Sequence, residues 1–373
     1  MGDDIKNKRQ HISVIRSFAV TWYDTYERYI SAATFFAGFL WDTFTLSRID
    51  SLAGTVLIFM YLVVAGLSIF LIQFFAAPDR KYQHFAPLLP FVIQFTFGAL
   101  LSALFIYYFR SASFAGSWFF LALLGGILVG NEFLRSRYRL LEFQLSVFFV
   151  VLLAFMIFYV PIIFQHIGTD MFLAAGAISL LVTAFLIFIL LRVIPSSERV
   201  GVRRKLLFGI GSSYLLFNVL YFANIIPPIP LVLKQAHVYH SVIRDESGRY
   251  IGEGEVQKWY EQYFIYAPTY HHLPNETVYF FSAVFAPTAL KTPLVHEWQY
   301  FDAKNNTWTT VSKIVFPIMG GREEGYRAYS IKNNIIPGTW RVVVKTESGA
   351  VLGRENFTVV DVGAPVLLEE REL

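Results

Sequence analysis

A chain of 373 residues that is 55% hydrophobic and 16% charged, with a mean hydropathy of +0.49, is more apolar than soluble domains of its length and points to a membrane protein. It has no cysteine, which excludes a disulfide framework, a thiolate metal site and a cysteine nucleophile. The net charge of +4 does not imply nucleic acid: up to Ile226 there are 17 Lys/Arg against 11 Asp/Glu and beyond it 14 against 16, so the basic excess belongs to the apolar half and no nucleic-acid partner is expected.

Seven apolar runs approach the roughly 20 residues that cross a roughly 30 Å hydrocarbon layer. They are Tyr29 to Leu46, Leu52 to Ala77, Leu88 to Phe109, Ser113 to Gly130, Phe143 to Phe164, Met171 to Leu191 and Leu206 to Ile226. The first contains Thr34, Asp42, Thr43 and Thr45, and would also suit a helix lying flat in the interface. Charge decides for seven crossings. With the N-terminus inside, 15 Lys/Arg stay on the inner side and only Arg48 and Arg110 lie outside, whereas six crossings would put the five cations of residues 1–28 outside.

This gives a cytoplasmic tail over residues 1–28 and a transmembrane domain over 29–226, with everything after it on the outer side, which in a bacterium would be the periplasmic face of the cytoplasmic (inner) membrane. The start "MGDDIKNKRQ" has neither the apolar core of a signal peptide nor the Ser or Thr of a myristoylation site.

The crossings offer few polar side chains, and Asp42, Gln94 and Asn218 are the candidates for an intramembrane polar site. Asp42 is read as reaching the outer interface or pairing with Arg48 rather than carrying protons. Gly126 and Gly130, and Ala174 to Ala177, read as faces for close helix approach. The clusters Arg135 to Arg139 and Arg199 to Lys205 fit charge that sets topology, and would also suit anionic lipid head groups.

Pro227, Pro228 and Pro230 end the helical part and open a linker and first-strand region over 227–276. There "LVLKQAHVYHSVIRD" reads as one strand before a "DESG" turn, and 249–276 fits helix or strand. From Thr277 alternation takes over, with six strands predicted at Thr277, Leu294, Thr309, Gly325, Thr339 and Ala350. The expectation is an α-helical polytopic bundle followed by an all-β, immunoglobulin-like sandwich over 277–361 and a tail over 362–373.

His237 and His240 are three apart on a strand, and His271 and His272 are adjacent, so neither pair shares a face and no metal is expected. His296 and Trp298 share a face, as do Arg327 and Tyr329. With Ser330 they form the candidate set for a glycan or peptide partner. The competing reading has Trp298 and Trp340 filling the core and Arg327 satisfied by Glu297 or Glu324. No catalytic motif is present, and no cofactor is expected.

The stretches "HEWQYFD", "GGREEGYRAYSIKN" and "PGTWRVVVKTESGAVLGRENFTV" together resemble the bacterial domain of unknown function 2914. The pattern runs through His296 and Trp298, Arg327 with Tyr329 and Ser330, Gly338 with Trp340 and Val342, and Phe357 with Val359. The "KNNTW" turn is longer than that pattern has. The resemblance implies a small extracytoplasmic β-domain on a multi-pass membrane protein, and no known activity. The functional expectation is a lipid-embedded anchor for a β-sandwich that binds an envelope protein or glycan. The rival is transport or lipid handling by the bundle.

Overall fold

The computed structural model describes residues 39–40, 42–44, 51–75, 89–111, 114–133, 137, 140–194, 199–227, 230–256, 267–286, 291–319 and 325–373. The 1–28 tail, most of the first apolar run, Arg48 and Glu324 lie outside these residues.

Seven helical segments come first: α1 (residues 39–40 and 42–44), α2 (Leu52–Phe75), α3 (Leu89–Ser111), α4 (Phe114–Phe133), α5 (Leu141–Phe164), α6 (Thr169–Val193) and α7 (Arg199–Phe222). From α2 to α6 apolar residues lie on all sides, as suits a helix set partly against protein and partly against lipid. Of these, α2, α3, α5, α6 and α7 are long and apolar enough to cross a membrane, and the apolar part of α4, Ser117–Asn131, is shorter. The centre is α5, which packs on α2, α3, α6 and α7. By contrast α6 and α7 expose Phe185 and Phe208, at 64% and 79%.

Close helix approach follows one of the two small-residue faces and not the other. A Cβ on Gly126 would meet nothing within 4 Å, while one on Gly176 would lie 2.8 Å from the Tyr214 ring on α7. The α6 small-residue face therefore packs, and Gly126 of the G-x-x-x-G does not.

The helix ends sort by charge. Lys205 Nζ lies 2.9 Å from Glu142 Oε1, so the starts of α5 and α7 share one end of the bundle. From Arg199, α7 runs about 35 Å before the chain enters the β region. Arg137, Arg192, Arg199, Arg203, Arg204 and Lys205 thus gather at the end remote from the β region. Arg110, which donates to the Thr43 carbonyl at 3.1 Å, ends α3 on the near side, where α3 touches β1.

All six strands predicted after Thr277 are present, as β5 (Val278–Phe285), β6 (Lys291–Asp302), β7 (Thr307–Met319), β8 (Tyr326–Lys332), β9 (Gly338–Thr346) and β10 (Val351–Asp361). Upstream, the single strand expected from Leu231 is two, β1 (Val232–Tyr239) and β2 (Ser241–Arg244), because the chain changes sheets at His240. Within 249–276 the strands β3 (Tyr250–Glu255) and β4 (Thr269–His272) form, with 257–266 outside the described residues. Residues 362–373 contribute β11 (Leu368–Glu372), paired with β3.

Three sheets result, in strand orders β1-β5-β8, β4-β10-β9-β6-β7 and β11-β3-β2, with β4 parallel to β10. Period-two alternation on β5 explains how they stack. Phe280 and Val284 join Trp298, Trp340 and Phe357 in the core against the five-stranded sheet, while Phe281 and Ala283 join Tyr239, Val242 and Leu373 against the third sheet. A Cβ on Gly252 would stand 2.7 Å from Leu373 and 2.9 Å from Tyr239, so glycine lets β3 lie flat here.

The two regions interpenetrate where they meet. Ile167, in the α5–α6 turn, packs against the core between the sheets, and Val232 of β1 packs against the helical core beside Ile225 and Ile226.

Candidate functional site

His296, Trp298 and Ser330 come together, but in the core between the sheets: they are 0%, 0% and 3% exposed. Trp298 Nε1 donates to Ser330 Oγ at 3.0 Å, Ser330 lies 2.9 Å from His296 Nδ1, and His296 Nε2 lies 2.8 Å from Ser282 Oγ. A neutral imidazole protonated at Nε2 satisfies the whole chain, with Ser330 donating to Nδ1 and Nε2–H donating to Ser282. Burial pushes the His296 pKa down to about 3, consistent with a neutral ring. These residues pin β5 and β8 to β6. Tyr329, adjacent to Ser330, faces the opposite side with Tyr250 and Tyr279, and Arg327 shares its side. The five-residue set therefore does not present one surface. Glu297, offered as a partner for Arg327, is held instead by Lys345, by Thr310 at 2.8 Å and by Lys313 at 3.5 Å.

Asp42, Gln94 and Asn218 are also separated. Asp42 Oδ2 accepts from Ser102 on α3 at 2.7 Å. The Gln94 carbonyl accepts from Asn131 at 3.3 Å, eight residues or about 12 Å along α3 from Ser102. Asn218 donates to the Tyr214 carbonyl of its own helix at 2.8 Å. The histidines separate too: His237 Nδ1 lies 3.3 Å from Glu355, while His240 lies between Glu255 and Glu276. Among the described residues no group of three or more His, Cys, Asp or Glu is placed to hold a metal ion.

What the β-domain does present is the outer face of its five-stranded sheet. Because Trp298 and Trp340 point inward, their neighbours Gln299 and Arg341 point outward, and register sets them opposite each other. Arg341 Nε donates to Gln299 Oε1 at 2.5 Å, and its guanidinium stands 4.0 Å from the centroid of the Trp308 ring on β7. Gln299 Nε2 donates to Thr310 Oγ1 at 3.4 Å, and Phe301 packs on Trp308 at 5.1 Å. Beside them is Glu297. Burial would raise its carboxyl, but Lys345, Thr310 and Lys313 hold it below the usual carboxylate range. An indole, a guanidinium, an amide and a hydroxyl are thus fixed side by side on an open sheet face, a set suited to sugar hydroxyls and carboxylates. Alternation along β9 sets Arg341 and Lys345 on this face, and Gln299, Trp308 and Thr310 join them through cross-strand register.

At the junction of the two regions lies a cavity of about 120 Å3. The stacked rings of Phe172 and Tyr221 line it from the helices, Asn224 from the end of α7, and Thr346 and Ser348 from the β9–β10 hairpin.

No curated protein matches the chain. Residues 291–359, from the start of β6 into β10, match the family model described as a protein of unknown function (DUF2914). The match takes in Trp298, Ser330, Trp340 and the outer-face residues, and leaves β5, the partner of β8, and β1, the partner of β5, outside it.

Proposed function

We propose that the chain is a polytopic bacterial inner-membrane protein with seven crossings and a cytoplasmic N-terminus, which holds an immunoglobulin-like domain on the periplasmic side to bind an envelope partner, a glycan or a protein. The gathering of cations at the bundle end remote from the β region supports the sidedness. Strand order supports the immunoglobulin-like reading: β1-β5-β8 take the places of strands A, B and E, and β7-β6-β9-β10 those of C′, C, F and G. Trp298 then occupies the strand C tryptophan position, and the His296 network ties the sheets in a chain with no cysteine.

The observation that carries the binding reading is the outward array of Trp308, Arg341, Gln299 and Thr310. Packed aromatic and arginine side chains on an open face are the commonest anchors of recognition. Full-length protein in nanodiscs, titrated with defined cell-wall and anionic polysaccharide fragments and with soluble envelope proteins, should bind a member of that panel, and Arg341→Ala and Trp308→Ala should abolish the binding. Variants that bind as the parent does, or reagents that reach residue 341 only from the cytoplasm, would refute the reading. The junction cavity favours a second reading, lipid handling, which predicts lipid co-purifying in native mass spectra and lost on Phe172→Ala.

A further inference from the structure

The chain bends at His240, where β1 leaves the sandwich and β2 enters the third sheet. The imidazole side chain is 6% exposed and stacks on Tyr270 with ring centroids 4.4 Å apart. Its Nδ1 meets Glu276 Oε1, with the Tyr270 hydroxyl 3.2 Å away, and its Nε2 lies 3.3 Å from Glu255 Oε1. Both ring nitrogens therefore face carboxylate oxygens. A neutral imidazole has one N–H and one lone pair, so one of these contacts would set a lone pair against a carboxylate, and only the imidazolium satisfies both.

Both carboxylates are further anchored. Glu255 accepts from the His271 backbone N–H at 2.6 Å and lies 2.7 Å from His271 Nδ1, and Glu276 accepts from the Leu273 N–H at 2.8 Å. His272 completes the surroundings, 3.1 Å from Asp361 on β10 and 3.2 Å from the Glu276 carbonyl. One ring thus joins the β1–β2 corner, β3, β4 and the turn before β5.

We propose that His240 is a proton-operated latch: charged, it fastens the β11-β3-β2 sheet to β4 at the edge of the sandwich, and on losing its proton it lets that sheet loosen. Burial draws the ring toward the neutral form, but Glu255 and Glu276 outweigh it and raise its pKa. Burial likewise opposes the Glu255 carboxylate, and the hydrogen bonds from His240 and His271 hold its pKa below the usual range.

The sign of the dependence follows. A raised histidine stabilises fully below its unfolded value of about 6.5 and loses that contribution as pH rises through the folded value. A depressed glutamate stabilises above about 4.3 and loses its contribution as pH falls through its folded value. The latch is therefore closed in mild acid and opens toward alkaline pH. This holds on either side of the membrane and does not depend on the binding reading.

Hydrogen exchange of the full chain in nanodiscs, corrected for intrinsic rates, tests the latch. Between pH 6.5 and 9.5, protection of Tyr250–Glu255 and Thr269–His272 should fall at least tenfold while β6 and β9 keep theirs. In His240→Gln the two segments should exchange alike at both pH values, and Glu276→Gln should shift the parent's midpoint to lower pH. PH-independent protection in the parent, loosening of all strands together, or a pH dependence that survives His240→Gln overturns the proposal. Should His240→Gln not fold, an NMR titration of the parent decides: a His240 midpoint above 6.5 supports the latch, and one at or below 6.5 overturns it.

Discussion

In the helical half, several buried hydroxyls and the Asn218 amide turn back on their own helix, while Ser102, Tyr108 and Asn131 each bond to a neighbouring helical segment. Thr96 donates to the Val92 carbonyl at 2.9 Å, Ser179 to Ala175 at 2.7 Å and Asn218 to Tyr214 at 2.8 Å. In the β half they reach between strands and sheets, as Ser282, His296, Ser330 and Trp298 do. A helix meets its backbone hydrogen bonds within one segment, so a buried hydroxyl has an i−4 carbonyl at hand and neighbouring helices are chosen by shape. A strand must find its partners elsewhere in the chain, so the β-domain's specificity rests on connected polar groups that succeed or fail together. Removing one residue should therefore cost far more in the polar network between the sheets than on a helix surface.

The largest effect expected is from Trp298→Ala. It should cost about 3–5 kcal/mol and take from the buried Ser330 hydroxyl the hydrogen bond it accepts, so that the β-domain melts first in a thermal scan followed by circular dichroism while the helical signal persists. His296 comes next. Its folded pKa is depressed, so the unfolded state binds the extra proton, and stability should be full above pH 6.5 and fall by about 1.4 kcal/mol per pH unit toward pH 3. Unfolding of the β-domain at several pH values checks this, and His296→Leu should remove the slope between about pH 6.5 and the carboxylate range, where Glu255 and Glu297 take over. That slope is opposite in sign to the one assigned to His240, so the two histidines can be told apart in one protein.

In the bundle, Gly176→Ala forces a Cβ to within 2.8 Å of Tyr214 and should destabilise by about 1–3 kcal/mol, whereas Gly126→Ala, with open space around it, should be neutral or slightly stabilising. Equal melting shifts for the two would break the packing account of α6 and α7. Smallest is Glu142→Gln. Its partner Lys205 is 66% exposed, so the loss should stay below about 1 kcal/mol and shrink with added salt.

Six of the strands could be read from alternation, and five of the seven apolar runs coincide with membrane-length helices, because both signals are local. β11 was not legible: "LEERE" carries no apolar alternation and becomes a strand only by pairing with β3. Nor was the break at His240, since nothing in "HVYHSV" announces a change of sheet. The candidate set around His296 mixed Ser330 with Tyr329, which strand period alone puts on opposite faces. The outer-face site was not legible, because Arg341, Gln299 and Trp308 lie on three strands that only register brings together.

By itself the sequence determined that a lipid-compatible half precedes a sheet half, and which helix ends keep the cations, because run length, period and charge are properties of neighbouring residues. Only the tertiary structure decided that β4 joins β10 in parallel and that Arg341 meets Gln299 and Trp308. It alone decided that His240 lies between carboxylates 15 and 36 residues further along the chain. Those contacts depend on cross-strand register, which is fixed by the packing of whole sheets and by no single segment.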